Sequence, residues 1–119
     1  MIGVDIIEIT RVKEDDEFLK KIACDAEIER IKKASCQSLR LQRIGSIFCV
    51  KEATIKALDL GGSEVSLKDI ELSHYDSGKP FVILHGVAKE KFDKCFVGKR
   101  IEVSLSHTPS TAIAVAIII

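Results

Sequence analysis

Asp5 interrupts an otherwise apolar run, Ile2-Gly3-Val4-Asp5-Ile6-Ile7, in which packing alone would not select a carboxylate. Taking an unpaired carboxylate out of water costs several kcal/mol, so Asp5 must be exposed, paired or bound to a cation. Glu52 and Lys56 supply possible partners: four residues apart, they share one face of a helix. A solvated pair of this kind contributes only about 0.2–0.5 kcal/mol and is ordinary surface decoration. Gly45 and Cys49 extend the same stripe with small, uncharged residues, which leaves room above Glu52 for a ligand. In Ser104-Leu105-Ser106-His107-Thr108 an imidazole and a hydroxyl stand where a strand meets a turn. The plain reading of His107 is a hydrogen-bonded structural histidine, since one imidazole defines no chemistry. His74 and His85 end strands and are expected to face solvent. No Ser-His-Asp or Cys-His arrangement can be argued, and no glycine-rich phosphate loop is present.

The elements that must position these residues follow from hydrophobic period. Residues 2–9 alternate as a strand, with Ile2, Val4 and Ile6 on one face and Gly3, Asp5 and Ile7 on the other. Residues 12–34 are charged and predict two short helices, with Glu14, Asp15, Asp16 and Glu17 at a helix N-terminus, where the macrodipole favours them. Over residues 37–58, Leu41, Ile44, Phe48, Ile55 and Leu58 keep three-and-four spacing, Ile47, Val50 and Ala57 widen the arc, and Gly61-Gly62 stops the helix. The second half predicts two hairpins around a helix. Residues 69–74 and 81–85 are strands joined by Asp76-Ser77-Gly78-Lys79-Pro80, and residues 87–96 form a helix burying Ala88, Phe92, Cys95 and Phe96. Residues 100–106 turn Ile101, Val103 and Leu105 inward, and residues 111–119 are apolar on both faces, so this strand is central in its sheet or covered by a partner subunit.

No repeat or linker interrupts this order, so residues 1–119 read as one α+β domain with a mostly antiparallel sheet packed on a long helix. Lys plus Arg equals Asp plus Glu at 18 each, so no global field points to nucleic acid or to an anionic membrane. The four cysteines are widely spaced, which argues against a structural zinc site. Residues 1–10 hold Asp5 and Glu8 and lack the apolar core of a signal peptide, so reduced cysteines in a cytoplasmic protein are expected.

Together these pieces resemble the holo-acyl-carrier-protein synthase family of phosphopantetheinyl transferases. The likeness begins at Ile2-Gly3-Val4-Asp5-Ile6-Ile7-Glu8 with Arg11 and peaks at Phe48-Cys49-Val50-Lys51-Glu52-Ala53-Thr54-Ile55-Lys56-Ala57-Leu58. It continues through Asp69-Ile70-Glu71, Gly78-Lys79-Pro80 and Ser104 to Thr108, in the family's order and over nearly the whole chain.

The resemblance implies the phosphopantetheinyl-transferase fold and a homotrimer with active sites between neighbouring subunits. It implies transfer of 4′-phosphopantetheine from coenzyme A to a serine of apo acyl carrier protein, in fatty acid biosynthesis. Asp5 and Glu52 would hold Mg2+, and Lys56 would neutralise or protonate the leaving phosphate. The base that takes the serine proton is either metal-bound water or Glu52. His107, Thr108, Lys51, Arg43 and Gly61 would hold coenzyme A. Three positions depart from the family pattern. Ile47 stands where an Arg is common, with Arg43 one turn earlier to substitute; Asp59-Leu60-Gly61 stands for Gly-Thr-Gly; and Glu14 to Glu17 enter a segment that is usually basic. Two other classes remain open at this level: a small magnesium-dependent phosphoesterase using the same carboxylates, and a non-catalytic binding module.

Overall fold

The computed structural model describes residues 1–61 and 65–119. Along the chain come β1 (Ile2–Glu8), α1 (Asp16–Ile22), α2 (Asp25–Lys32), α3 (Gln37–Ala57), β2 (Ile70–His74), β3 (Pro80–Leu84), α4 (Gly86–Cys95), β4 (Ile101–His107) and β5 (Thr111–Ile118). Short 3-10 turns follow β1 and precede β2. The acidic cluster caps α1 as expected, the Asp15 carboxylate accepting from the Glu17 N–H at 3.1 Å.

The sheet β1-β5-β4 is antiparallel throughout, with β5 in the middle, and β2 and β3 form a separate hairpin. Register explains how β5 can be apolar on both sides. Gly3, Asp5 and Ile7 stand opposite Ala116, Ala114 and Ala112, and the three alanines are buried against α3. The opposite face carries Ile2, Val4 and Ile6 beside Ile117, Val115 and Ile113. That face is bare: Ile2 is 68% exposed and Ile6 65%.

Small residues on both sides bring α3 against the sheet. A Cβ at Gly3 would lie 2.0 Å from the Ala53 carbonyl oxygen and 2.7 Å from the Ala57 nitrogen. Gly45 packs on Ile9 and Ile7, and the wholly buried Cys49 thiol donates to the Ala112 carbonyl at 3.4 Å. This corrects the expectation that Gly45 and Cys49 leave room for a ligand: strand backbone and side chains fill that space.

Three further expectations change. The helix ends where expected, at residues 57–58, but Gly61-Gly62 is not what reverses the chain. Leu58 is its cap, Asp59 takes the left-handed conformation at φ 56°, and the Asp59 and Leu60 N–H groups bond back to Lys56 and Ile55 at 3.1 and 3.2 Å. This is the reversal usually made by glycine, here made by one of the few other residues that tolerate it; Gly62 lies outside the described residues. Cys95 is exposed rather than buried on α4. His74 is half-buried rather than facing solvent.

Candidate functional site

Asp5 and Lys56 meet where β1 crosses the C-terminal part of α3. The Lys56 ammonium donates to the Val4 carbonyl at 2.9 Å and to Asp5 Oδ1 at 3.3 Å. Asp5 cannot withdraw from the helix because Gly3, two residues before it, lies flush against Ala53 and Ala57. Glu52, one helical turn before Lys56, is half-buried beside them. Burial first and the Asp5 charge second raise its carboxyl above the usual range, with Lys56 opposing. Two carboxylates that repel each other, with oxygen donors only and an ammonium at hand, suit a hard divalent cation and a phosphoryl group. Glu52, Lys56, Asp59 and Gly61 border one open cleft, so Gly61 lies on the same side as Glu52 and Lys56.

The raised Glu52 carboxyl has a measurable sign. The folded chain holds this proton more tightly than the unfolded chain, so the metal-free protein loses stability as pH rises from the ordinary carboxylate range through the raised value. It regains that stability on acidification. Urea midpoints across this range should show the trend in the wild type and a flatter one in Glu52→Gln; equal slopes would remove the assigned repulsion.

Arg43 and His107 occupy a second place. About 14 Å of helix axis separates Arg43 from Glu52, at roughly 1.5 Å per residue. Asp5 lies on β1 and His107 on β4, the two outer strands of the sheet. Arg43, His107 and His74 border a cavity of about 250 Å3 between α2, α3, β2 and β4. An Arg43 N–H donates to the Arg30 carbonyl, which fixes the guanidinium at the cavity mouth. Thr108 begins the β4–β5 turn, and its hydroxyl oxygen accepts from the Ser110 and Thr111 N–H groups at 3.2 and 3.1 Å. The expected site residues therefore fall into two groups within one chain: Asp5, Glu52, Lys56 and Gly61, and separately Arg43 and His107 with Thr108 beyond it.

Lys51 belongs to neither group, and its expected contact with coenzyme A is corrected. Its side chain is wholly buried, with the ammonium donating to Glu27 Oε1 and the Leu67 carbonyl, both at 2.9 Å, and to the Ile70 carbonyl. Glu27 also accepts from the Cys24 and Leu72 N–H groups, each at 3.0 Å. Burial lowers the Lys51 ammonium from the usual lysine range, with Glu27 opposing. The network ties α2, α3 and β2 together and leaves the ammonium no free direction for a ligand. Sequence reasoning missed Glu27; its only local signal is the three-residue spacing from Cys24 at the start of α2.

Residues 1–116 match the model of the 4′-phosphopantetheinyl transferase superfamily. The holo-[acyl-carrier-protein] synthase of Fusobacterium nucleatum is 39% identical over 125 residues, covering 99% of this chain and 97% of the relative. Among solved structures, the Helicobacter pylori holo-[acyl-carrier-protein] synthase in complex with coenzyme A superposes with a TM-score of 0.81 at 32% identity, covering 100% of both chains. The Bacillus anthracis enzyme in complex with CoA (3′,5′-ADP) superposes with a TM-score of 0.79 at 31% identity, covering 98% of this chain and 93% of that one.

Proposed function

Since the chain belongs to the 4′-phosphopantetheinyl transferase superfamily, we propose that it transfers 4′-phosphopantetheine from coenzyme A to a serine of apo acyl carrier protein and releases adenosine 3′,5′-bisphosphate. The observation that carries this reading is the cluster of Asp5, Glu52 and Lys56 on one patch of β1 and α3, in a fold shared with relatives solved with coenzyme A. Mg2+ is the ion this pair of carboxylates suits; when bound it draws electron density from the pyrophosphate and offsets the charge that develops there. Asp5 and Glu52 would hold it through their carboxylate oxygens. Lys56, anchored on Asp5 and the Val4 carbonyl, faces the leaving phosphate and stabilises its negative charge. The serine oxygen forms a bond to the phosphorus attached to pantetheine, and the bond from that phosphorus to the bridging oxygen of the nucleotide breaks. Glu52 is the chain's own candidate to take the serine proton.

We read the working form as a cytoplasmic homotrimer of this domain, residues 1–119. Two observations support assembly. The donor-binding candidates Arg43 and His107 lie apart from Glu52 in one chain, and a neighbouring copy would bring a second such group beside this chain's Glu52. The bare face formed by Ile2, Val4, Ile6, Ile113, Val115 and Ile117 is the apolar surface such a neighbour would cover. Aspartate at Val115, in the middle of that face, is expected to give monomers and to lose activity with assembly. Light scattering that finds a fully active wild-type monomer at working concentration would rule the trimer out. Among the described residues no helix is long and apolar enough to cross a membrane.

The direct test is to incubate the chain with coenzyme A, Mg2+ and an apo carrier protein and to weigh the carrier by mass spectrometry. Addition of one phosphopantetheine, with release of the bisphosphate only when carrier is present, is the expected result. Release without carrier would instead mark a phosphoesterase.

A further inference from the structure

The residue after the cap of α3 breaks two local rules at once. Asp59 holds the left-handed conformation at φ 56°, which glycine adopts at no steric cost and an L-residue adopts under strain. It also places a carboxylate just past the C-terminus of a 21-residue helix, where the macrodipole disfavours negative charge. Glycine at this position would avoid both penalties. A residue that costs the fold twice, on the rim of a candidate site, points to a role other than stability.

Position says what the charge meets. Asp59 follows Lys56 by one turn, and its N–H bonds the Lys56 carbonyl at 3.1 Å. The two residues line one open cleft of about 370 Å3 with Glu52 and Gly61, and Asp59 is exposed there. The Lys56 ammonium pairs with Asp5 and the Val4 carbonyl rather than with Asp59. Lys91 and Lys94 of α4 border the groove on the other side of Asp59, with Glu90 beside them. Among the described residues no ion pair joins Asp59 to any of these cations. Asp59 therefore presents its charge to the cleft in which, under the function proposed above, the leaving phosphate forms.

Transfer changes the charge of that phosphate. In the donor, the nucleotide 5′-phosphate is half of a pyrophosphate and carries one negative charge. When the bond from the transferred phosphorus to the bridging oxygen breaks, the electron pair stays on that oxygen. The 5′-phosphate becomes a monoester with close to two negative charges at neutral pH. The transferred phosphorus leaves on the carrier as a diester with one. A carboxylate one turn from Lys56 thus repels the released nucleotide more than the intact donor.

We propose that Asp59 is a specificity-determining residue that sets the preference for intact coenzyme A over released adenosine 3′,5′-bisphosphate, and so clears the product from the cleft. The inference rests on the transfer reaction proposed above.

Calorimetric titration of the full chain with the bisphosphate and with coenzyme A, in buffer containing Mg2+, tests it. Asp59→Asn keeps a side chain that tolerates the left-handed region and removes the charge. It tightens the bisphosphate about three- to ten-fold and coenzyme A by less, so the preference for donor narrows about two- to three-fold. Asp59→Lys narrows it further in the same direction. Raising the salt to about 1 M, where the Debye length is about 3 Å, removes most of the difference between wild type and variants. A merely structural role would leave the ratio of affinities unmoved by charge or salt. Asp59→Gly, which also relieves the backbone, melts above the wild type and shifts the ratio as Asn does, so damage to the fold cannot account for the shift. Equal bisphosphate affinity in wild type and Asp59→Asn, or equal gains for the two ligands, overturns the proposal. Failure of the transfer reaction is read separately: no phosphopantetheine appears on the carrier in the mass-spectrometric assay, and the product this inference concerns is then never made.

Discussion

Alanine in place of Glu52 is expected to lower turnover by on the order of 10^3-fold or more while the chain keeps its fold, and alanine in place of Asp5 to do the same. The size follows from the task. Charge builds on the leaving pyrophosphate oxygen, and preorganised electrostatic groups at such positions commonly contribute two to three orders of magnitude each. The preserved fold follows from the repulsion between the two carboxylates. Glu52 is held above its usual range by burial and by Asp5, so the folded chain already disfavours its charged form. Removing one carboxylate relieves that penalty, and the metal-free variant should unfold at or above the wild-type temperature. Single-turnover transfer and thermal unfolding on the same preparations check both halves. Near-wild-type turnover in either variant would remove the cation-holding role.

The opposite pattern is expected at the neighbouring position. Lys51→Met leaves Glu27, 2% exposed, as a buried carboxylate without its counter-charge. Breaking a buried pair from one side typically costs about 3–5 kcal/mol, a large share of the roughly 5–15 kcal/mol that holds a domain together. The melting temperature should fall by on the order of 10–20 °C. The double change Glu27→Gln/Lys51→Met should recover much of this loss, because glutamine can still accept from the Leu72 N–H without carrying a charge. A Lys51→Met chain within about 1 kcal/mol of wild type in urea unfolding would show that the pair contributes little. The same variant, if stable but weak in coenzyme A binding, would return Lys51 to the donor site. Adjacent residues of one helix are thus expected to divide two tasks, Glu52 serving transfer at a small cost to stability and Lys51 serving stability.

How much of this was legible from residue order depends on the range of the interaction. The long helix, the two hairpins and the doubly apolar last strand followed from period and turn residues, which act over a few positions. So did the grouping of Glu52 with Lys56. The Glu27–Lys51 pair was not legible, because its partners are 24 residues apart and nothing local marks either as buried. The stripe of Gly45 and Cys49 was misread for a related reason. Small residues on a helix signal close approach, and only the partner surface says whether a ligand or a strand arrives. His74 looked exposed because it ends a strand, yet α2 and α3 pack over that end. The helix end near residue 58 was legible, but the reversal was assigned to the paired glycines because glycine is the usual residue there, whereas Asp59 makes it.

Gly3 has a consequence for how the gene tolerates variation. It donates no proton and touches no ligand in the mechanism proposed here, yet even a methyl group at this position would collide with backbone of Ala53 and Ala57. Backbone cannot swing aside as a side chain can, so β1 would have to lift from α3 and carry Asp5 away from Glu52 and Lys56. A saturation library selected for growth on this enzyme should therefore find position 3 as unforgiving as position 5. Its intolerance would mark a spacer whose thickness sets the gauge of the carboxylate pair, and a reader of such a map would mistake it for chemistry.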